Sequence, residues 1–230
     1  MKILVFLAVW KRPEITEICF MGLNRLRKVP GYDINVLAVI SEEEMIPLCE
    51  KYDVKWVMHE NLPLGIKKNF GVKEALKFDW EYLVEIGSDD LLKDEFLKVY
   101  AWDSPILGLN DVALINTETG ACKRLSSKAS RYGLGRAVRR SVIEKCGDLW
   151  HPAKNKGLDN SATIRMALNG FGEKRVSCVE PVAIGLKSSV NIWKYQGSKG
   201  KKYPFEKAIK GLSEPEINAI ESLCYSTNLV

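Results

Sequence analysis

The sequence predicts an open α/β fold with a mainly parallel sheet, and three observations carry that reading. Lys2–Val9 (KILVFLAV) and Ile34–Ile40 (INVLAVI) are short continuous apolar runs rich in β-branched residues, as parallel strands covered on both faces require. Lys55–Met58 and Tyr82–Ile86 are weaker runs of the same kind. Helical stretches separate the four, and the resulting β-α-β-α-β-α-β order is the signature of an open sheet with right-handed crossovers and helices on both faces.

Taken in order, the first helix is expected over Pro13–Lys28 and the second over Glu42–Tyr52. Ser41-Glu42-Glu43-Glu44 opens the second as a capping box, with serine at the N-cap and a glutamate three residues on. A third helix follows over Lys67–Phe78. After Asp90 a helix is expected to run to Ala101, and Val112–Asn116 suits a fifth strand. Beyond Thr117 the periodicity breaks into short segments punctuated by Gly120, Gly133, Gly135, Gly147, Gly157 and Gly170. Ser213-Glu214-Pro215-Glu216 then caps a last helix reaching about Cys224. The organisation is a single compact unit, with residues 1–116 forming a nucleotide-binding-type half and residues 117–230 a shorter, loop-rich half.

Composition excludes several classes. A chain of 230 residues buries roughly 70% of its unfolded surface and needs no staples. The longest apolar run, Ile3–Trp10, is far short of the roughly 20 residues of a spanning helix. Six cysteines lie far apart without a CxxC or Cys/His cluster, as expected of reduced, buried thiols in a cytoplasmic protein. With two histidines, His59 and His151, acid–base chemistry falls to carboxylates.

The net charge of +5 hides an asymmetry: Met1–Cys122 carries 14 basic and 20 acidic residues. Lys123–Lys145 carries eight basic and one acidic, and Lys187–Lys210 seven and one. The second half is therefore expected to face an anionic partner, unless its lysines form only a solvated surface.

In open α/β sheets, ligands bind outside the carboxyl ends of the strands. There the chain places Trp10-Lys11-Arg12-Pro13, Ser41, His59-Glu60-Asn61 with Leu62-Pro63-Leu64-Gly65 following, and Gly87-Ser88-Asp89-Asp90. Two adjacent carboxylates closing an apolar strand need a neutralising partner, and a hard divalent cation shared with substrate phosphates supplies one. Lys11, Lys67 and Lys68 are the candidates for the remaining phosphate charge. Capping of a following helix by Asp89 or Asp90 is the alternative. No GxxxxGK[ST], dinucleotide fingerprint or GxSxG elbow is present.

These residues resemble a GT-A fold, family 2-like glycosyltransferase of the compact sort found in phage and bacterial genomes. The likeness spans Met1 to about Gly172 and rests on four elements. They are the strand running into Trp10-Lys11-Arg12-Pro13; Gly65 with Lys67-Lys68-Asn69, similar to a Gly-x-x-x-Arg-Asn element; Gly87-Ser88-Asp89-Asp90, similar to an Asp-x-Asp motif; and Leu158-Asp159-Asn160, similar to the acidic motif near the acceptor. The resemblance implies a nucleotide-diphosphate sugar donor, UDP-sugar favoured, with Mn2+ or Mg2+ at Asp89 and Asp90 beside it. It also implies a nucleotide seat of Val9, Trp10, Lys11, Arg12, Ser41 and Asn61, flanked by Gly65, Lys68, Asn69 and Ser88. Two departures stand out: Gly87 occupies the place of the first aspartate, and Lys68 that of an arginine.

Asp159 is the candidate general base of an inverting transfer, with helix N-capping as its alternative. Trp150 and Trp193 are candidate aromatic platforms, with a place in the core as the equal alternative for each. Arg136, Arg139 and Lys187 are candidate acceptor contacts in the basic segments. Lysines interleaved with Trp193, Tyr195, Tyr203 and Phe205 suit a nucleic-acid groove, so DNA with hydroxymethylated bases is one expected acceptor. A cell-surface polysaccharide or lipid-linked glycan fits the same charge. A non-catalytic nucleotide- or nucleic-acid-binding module is the reading from another class. Cytoplasmic location, in the host if the chain is phage-encoded, goes with all of these. A nucleotidyltransferase is disfavoured because Trp10–Pro13 contains no glycine.

Overall fold

The computed structural model describes residues 1–127, 132–189, 191 and 195–226. Its first half alternates as expected: β1 (Lys2–Ala8), α1 (Pro13–Leu26), β2 (Asp33–Ile40), α2 (Ile46–Lys51), β3 (Lys55–Met58), α3 (Leu64–Ala75) and β4 (Tyr82–Gly87). β5 (Asp90–Leu92), α4 (Phe96–Val99), β6 (Ile106–Leu109), β7 (Asp111–Asn116), β8 (Cys122–Ser126), β9 (Arg136–Arg139) and α5 (Arg140–Cys146) follow. The chain continues through α6 (Leu158–Leu168), β10 (Glu173–Val176), β11 (Ala183–Lys187), β12 (Lys201–Lys202), α7 (Phe205–Ile209) and α8 (Glu214–Ser226).

A seven-stranded sheet is ordered β10-β6-β9-β4-β1-β2-β3, and a five-stranded sheet β12-β8-β7-β11-β5. β1 pairs in parallel with β2 and β4, while β9 runs antiparallel between β4 and β6. The second half thus completes the sheet that the first half begins. β1 is buried on both faces: Ile3, Val5 and Leu7 point into the core beneath α1, Leu4 and Phe6 into the core beneath α3, as the period of two along a strand dictates. A third core lies under the second sheet, where α1, α7 and α8 meet β7 and β11. Arg25 of α1 pairs there with Glu216 of α8 at 2.8 Å. Glu216 also accepts from the Ser213 amide and hydroxyl, so the expected cap of the last helix forms.

Two expectations about elements change. The second helix is short: Glu43–Met45 forms a single 3₁₀ turn before α2, and no side chain caps either. Its expected cap is spent elsewhere, because Ser41 Oγ donates to the His59 carbonyl at 2.9 Å and accepts from Lys67 Nζ. The helix expected from Asp90 to Ala101 is a strand followed by one short helix. Asp90–Leu92 pairs antiparallel with β11, so neither Asp89 nor Asp90 caps a helix. Val112–Asn116 is a strand as expected, but it belongs to the second sheet.

Candidate active site

A cavity of about 610 Å³ opens at the carboxyl ends of β1 and β4, the place the strand-end rule selects. Its floor carries Ala8, Ile86 and Gly87; Trp10, Lys11 and Arg12 border it on one side, and Asn61, Lys67 and Lys68 on another. Residues from the second half close it: Gly133, Asn155, Lys156, Asp159, Lys187 and Asn191. Both halves of the sequence therefore build one site.

The Gly87–Asp90 turn is positioned by sheet pairing. β11 lies against β5 with Gly185 opposite Asp90, and the Leu186 amide donates to the Asp89 carbonyl at 2.7 Å. That register delivers Lys187 to the two carboxylates: its Nζ lies 2.6 Å from Asp89 Oδ2 and 3.5 Å from Asp90 Oδ1. Asn191 Nδ2 donates to the same Asp89 oxygen, and Arg12 Nη2 stands 3.8 Å from Asp89 Oδ1. Asp90 Oδ2 accepts the Gly87 amide at 2.6 Å. Burial would raise the Asp89 carboxyl, but Lys187 and Arg12 hold it below its ordinary value. Burial raises Asp90 despite Lys187, with the charge of Asp89 adding to the rise. Lys187 loses to burial but gains more from both carboxylates, and its ammonium is held above the ordinary lysine value.

Two glycines make this cluster possible. A Cβ on Gly87 would lie 2.8 Å from an Asp89 oxygen and 2.9 Å from one of Asp90, and a Cβ on Gly185 would lie 2.8 Å from Lys187 Cε. The glycine standing in place of a first aspartate thus lets the carboxylates that follow it come close to the backbone.

Val9, Ser41 and Asn61, the residues expected to seat a nucleotide, meet around one lysine. Lys67 Nζ donates to the Val9 carbonyl (2.5 Å), Ser41 Oγ (2.6 Å) and Asn61 Oδ1 (3.2 Å), tying the ends of β1 and β2 to the loop after β3. Burial pushes its pKa down to about 8. Asn61 faces the cavity, whereas Val9 and Ser41 lie behind Lys67. Lys11 and Arg12 both adopt φ of 55°, a strained conformation for side-chain-bearing residues and one that clusters at functional sites. Arg12 Nη1 is buried and has no hydrogen-bond partner among the described residues.

A second ionic cluster lies beside the first. Glu85 pairs with Lys68 and stands 3.6 Å from Arg136 Nη1, the register partner of Glu85 on β9. Arg136 Nη2 also donates to the Asp159 carbonyl at 3.2 Å. Asp159 sits in the first turn of α6, where its Oδ2 accepts the Gly133 amide at 2.9 Å. A Cβ on Gly133 would lie 2.5 Å from Asp159 Oδ1 and 3.0 Å from Glu85 Oε1, so the glycine lets the two carboxylates converge. Gly157, not Asp159, occupies the N-cap. The sequence reading missed Glu85, although a charged residue inside an apolar strand was its signal.

Several expected ligand contacts are spent on architecture. The Trp150 ring stacks on Phe6 at 5.9 Å, fully buried under the Lys68 ammonium, so it offers no platform. Asn69 binds the Trp150 backbone at both its carbonyl and its amide. Gly65 sits against the loop before α6, where a Cβ would come within 2.1 Å of the His151 carbonyl. Together they dock the segment that carries Asn155, Lys156 and Asp159. Arg139 points to the other end of β4, bonded to Tyr82 Oη. Arg136 lies beneath the cavity wall, and Lys187 is at the carboxylates instead of on an acceptor surface. Ser88, Lys68, Trp10, Lys11 and Arg12 border the cavity. Trp193 lies outside the described residues.

The donor set at Asp89 and Asp90 does not suit a divalent cation. Such an ion binds through carboxylate oxygens free to face it, and here the Lys187 ammonium occupies the space between the two carboxylates. Among the described residues no three His, Cys, Asp or Glu side chains converge to hold a metal. No described helix is long and apolar enough to cross a membrane.

A mixed sheet flanked by helices, with its cavity at the carboxyl ends of the parallel strands, defines the GT-A type of nucleotide-binding fold. Solved glycosyltransferases share it. The chain is similar to TarS of S. aureus, residues 1–349, with TM-score 0.55 and 15% identity over 81% of this chain and 60% of that one. A structure of the same fragment in complex with UDP matches with TM-score 0.55 and 14% identity over 99% and 71%. A Drosophila β-1,4-galactosyltransferase 7, complexed with manganese, UDP-Gal and xylobiose, matches with TM-score 0.53 and 14% identity over 79% and 67%. An inositol-1-phosphate CTP transferase from T. maritima matches with TM-score 0.52 and 10% identity over 96% and 95%. The chain spans 60% of the length of the TarS fragment. No protein-family model matches the chain, and no curated protein does.

Proposed function

We propose that the protein is a glycosyltransferase that moves a sugar from a nucleotide-diphosphate sugar, a UDP-sugar by preference, to an acceptor hydroxyl. One observation carries the reading: a single cavity joins strained, cationic Lys11 and Arg12 to a carboxylate, Asp159, on the opposite half of the chain. Trp10, 39% exposed at the rim, offers a face to the nucleobase. Lys11 and Arg12 take the charge of the diphosphate. Asp159 accepts the acceptor's hydroxyl proton as that oxygen attacks the anomeric carbon; the bond from that carbon to the diphosphate oxygen breaks, and the nucleoside diphosphate leaves. A single displacement of this kind inverts the configuration. Asp159→Asn keeps the bond from Gly133 but removes the base. Turnover is expected to fall about 10²–10⁴-fold with UDP affinity unchanged. Unchanged turnover would remove Asp159 from the reaction.

The acceptor surface is narrower than the charge count implied. Arg124 pairs with Asp111 at 2.9 Å, Arg140 binds the Leu76 and Phe78 carbonyls, and Arg136 and Arg139 are spent as described. Lys199, Lys201, Lys202, Lys207 and Lys210 remain exposed around β12 and α7. An anionic acceptor docks there in this reading, and DNA bearing hydroxymethylated bases is the version to test, by transfer of labelled sugar to modified and unmodified duplexes.

A nucleotidyltransferase is the second reading, favoured by the near-complete mutual coverage of the CTP transferase. Its mark is pyrophosphate release from CTP or UTP with a sugar phosphate; the first reading predicts UDP release from a UDP-sugar instead.

A further inference from the structure

We infer that Lys187 stands in the place of the divalent cation, so that this site binds its nucleotide diphosphate without a metal. The inference rests on the nucleotide-sugar reading above.

Three features of the chain converge on it. A divalent ion at the end of β4 would need oxygen ligands from Gly87, Asp89 or Asp90. The first position has no side chain, and a Cβ there would come within 2.9 Å of both neighbouring carboxylates and push them aside. Asp90 is committed through Oδ2 to the Gly87 amide at 2.6 Å. Asp89 Oδ2 is already shared by Lys187 Nζ and Asn191 Nδ2. The remaining oxygens, Asp89 Oδ1 and Asp90 Oδ1, face Arg12 at 3.8 Å and Lys187 at 3.5 Å, so a cation bound through these carboxylates and the diphosphate would have to displace Lys187.

The second feature is the lysine itself. Lys187 is 5% exposed, and burying an ammonium is unfavourable unless it is paired. Here two carboxylates pair it, and Gly185 is the residue whose missing side chain makes room for its methylenes. It is held by the β11–β5 register and not by a mobile loop. The third feature is Arg12, which stands 3.8 Å from Asp89 on the cavity side and carries a buried Nη1 with no hydrogen-bond partner among the described residues. An anionic ligand supplies that partner. Asp89 and Asp90 in this arrangement fix two cations toward the cavity, where the usual arrangement has carboxylates fix a metal. Lys187 thus acts as a fixed positive charge for the leaving diphosphate.

Two measurements test this on the full chain. Manganese alone is titrated into the protein and followed by the electron paramagnetic resonance of the free ion, and UDP is titrated calorimetrically in EDTA and again in manganese. The expected result is no stoichiometric manganese uptake and UDP affinities that agree within twofold in the two buffers. Lys187→Ala, which frees both carboxylates, is expected to take up manganese and to bind UDP at least tenfold more weakly in EDTA, with part of the loss regained in manganese. Wild-type UDP binding that strengthens tenfold or more with manganese overturns the inference and leaves the donor reading standing. UDP binding in neither buffer overturns the donor reading and the inference with it. If Lys187→Ala does not fold, Arg12→Ala and the two wild-type titrations still decide. Loss of UDP affinity in EDTA on removing Arg12 is expected, and an unchanged affinity counts against a cation-built diphosphate site.

Discussion

Two buried ionic clusters wall the same cavity, and they are balanced in opposite senses. At Asp89 and Asp90 two carboxylates share one lysine in direct contact, with Arg12 farther out. At Glu85 one carboxylate is shared by Lys68 and Arg136. The first cluster is left with surplus carboxylate charge, open to a metal ion, only if Lys187 is lost. The second holds surplus positive charge, and the Asp159 carboxyl beside Gly133 lies close enough to offset it. Composition alone would make the two alike. In the reading proposed above, the first serves the diphosphate end of a donor and the second the end where a proton is taken.

Removing the cation from each cluster is the largest way to break the comparison. Arg136→Ala leaves Glu85 with one partner in a fully buried setting, and the expected loss is about 3–5 kcal/mol in urea unfolding, with or without manganese. Lys187→Ala is expected to lose a similar amount in EDTA but to regain part of it in manganese, because only that cluster can accept the ion. Equal responses to manganese would show the clusters to be equivalent. A smaller effect is expected from Gly87→Ala, whose Cβ must push the two carboxylates off Lys187. An overpacking loss of about 1–3 kcal/mol by thermal or urea unfolding is the outcome to look for.

Lys67 sharpens the contrast from a third direction, since neutral oxygens hold it in place of carboxylates. Its pKa falls to about 8 in the fold from an ordinary 10.5. A lowered lysine pKa means that the folded state disfavours the charged form. Its contribution to stability is therefore fully present above pH 10.5 and is lost as pH falls toward 8. The stability difference between wild type and Lys67→Met, from urea unfolding at several pH values, is expected to move in favour of wild type between pH 8 and 10.5 and to be flat below 8. No change across that window would mean that Lys67 is charged as easily in the fold as in water.

β1 and β2 were legible as continuous apolar runs in a parallel sheet, and β3 and β4 as weaker runs spaced by helices, with β3 largely exposed at the sheet edge; the cavity follows from the sheet by rule. The Asp89-Asp90 pair was legible as a charge anomaly. Lys187 was not, because its partner lies 98 residues away and only the β11–β5 register joins them. It read as one more cation in a basic stretch. The same reason explains the overestimated acceptor surface: Arg124, Arg136, Arg139 and Arg140 find internal acceptors that sequence-local counting does not see. Ser41 misled for the opposite reason. Its capping pattern is local and sound, but a buried ammonium from α3 competes for the hydroxyl and takes it. Trp150 read equally as platform or core, and Phe6 decides for the core.

The most direct test of the central claim is a crystal structure with UDP grown in manganese, with anomalous data collected at the manganese edge. The account predicts the diphosphate against Arg12 and Lys187, in a cavity where Asp159 remains open to an acceptor, with no anomalous peak between Asp89 and Asp90. A manganese ion bridging those carboxylates and the diphosphate, with Lys187 displaced, would contradict the metal-free arrangement; a nucleotide bound elsewhere would contradict the site itself.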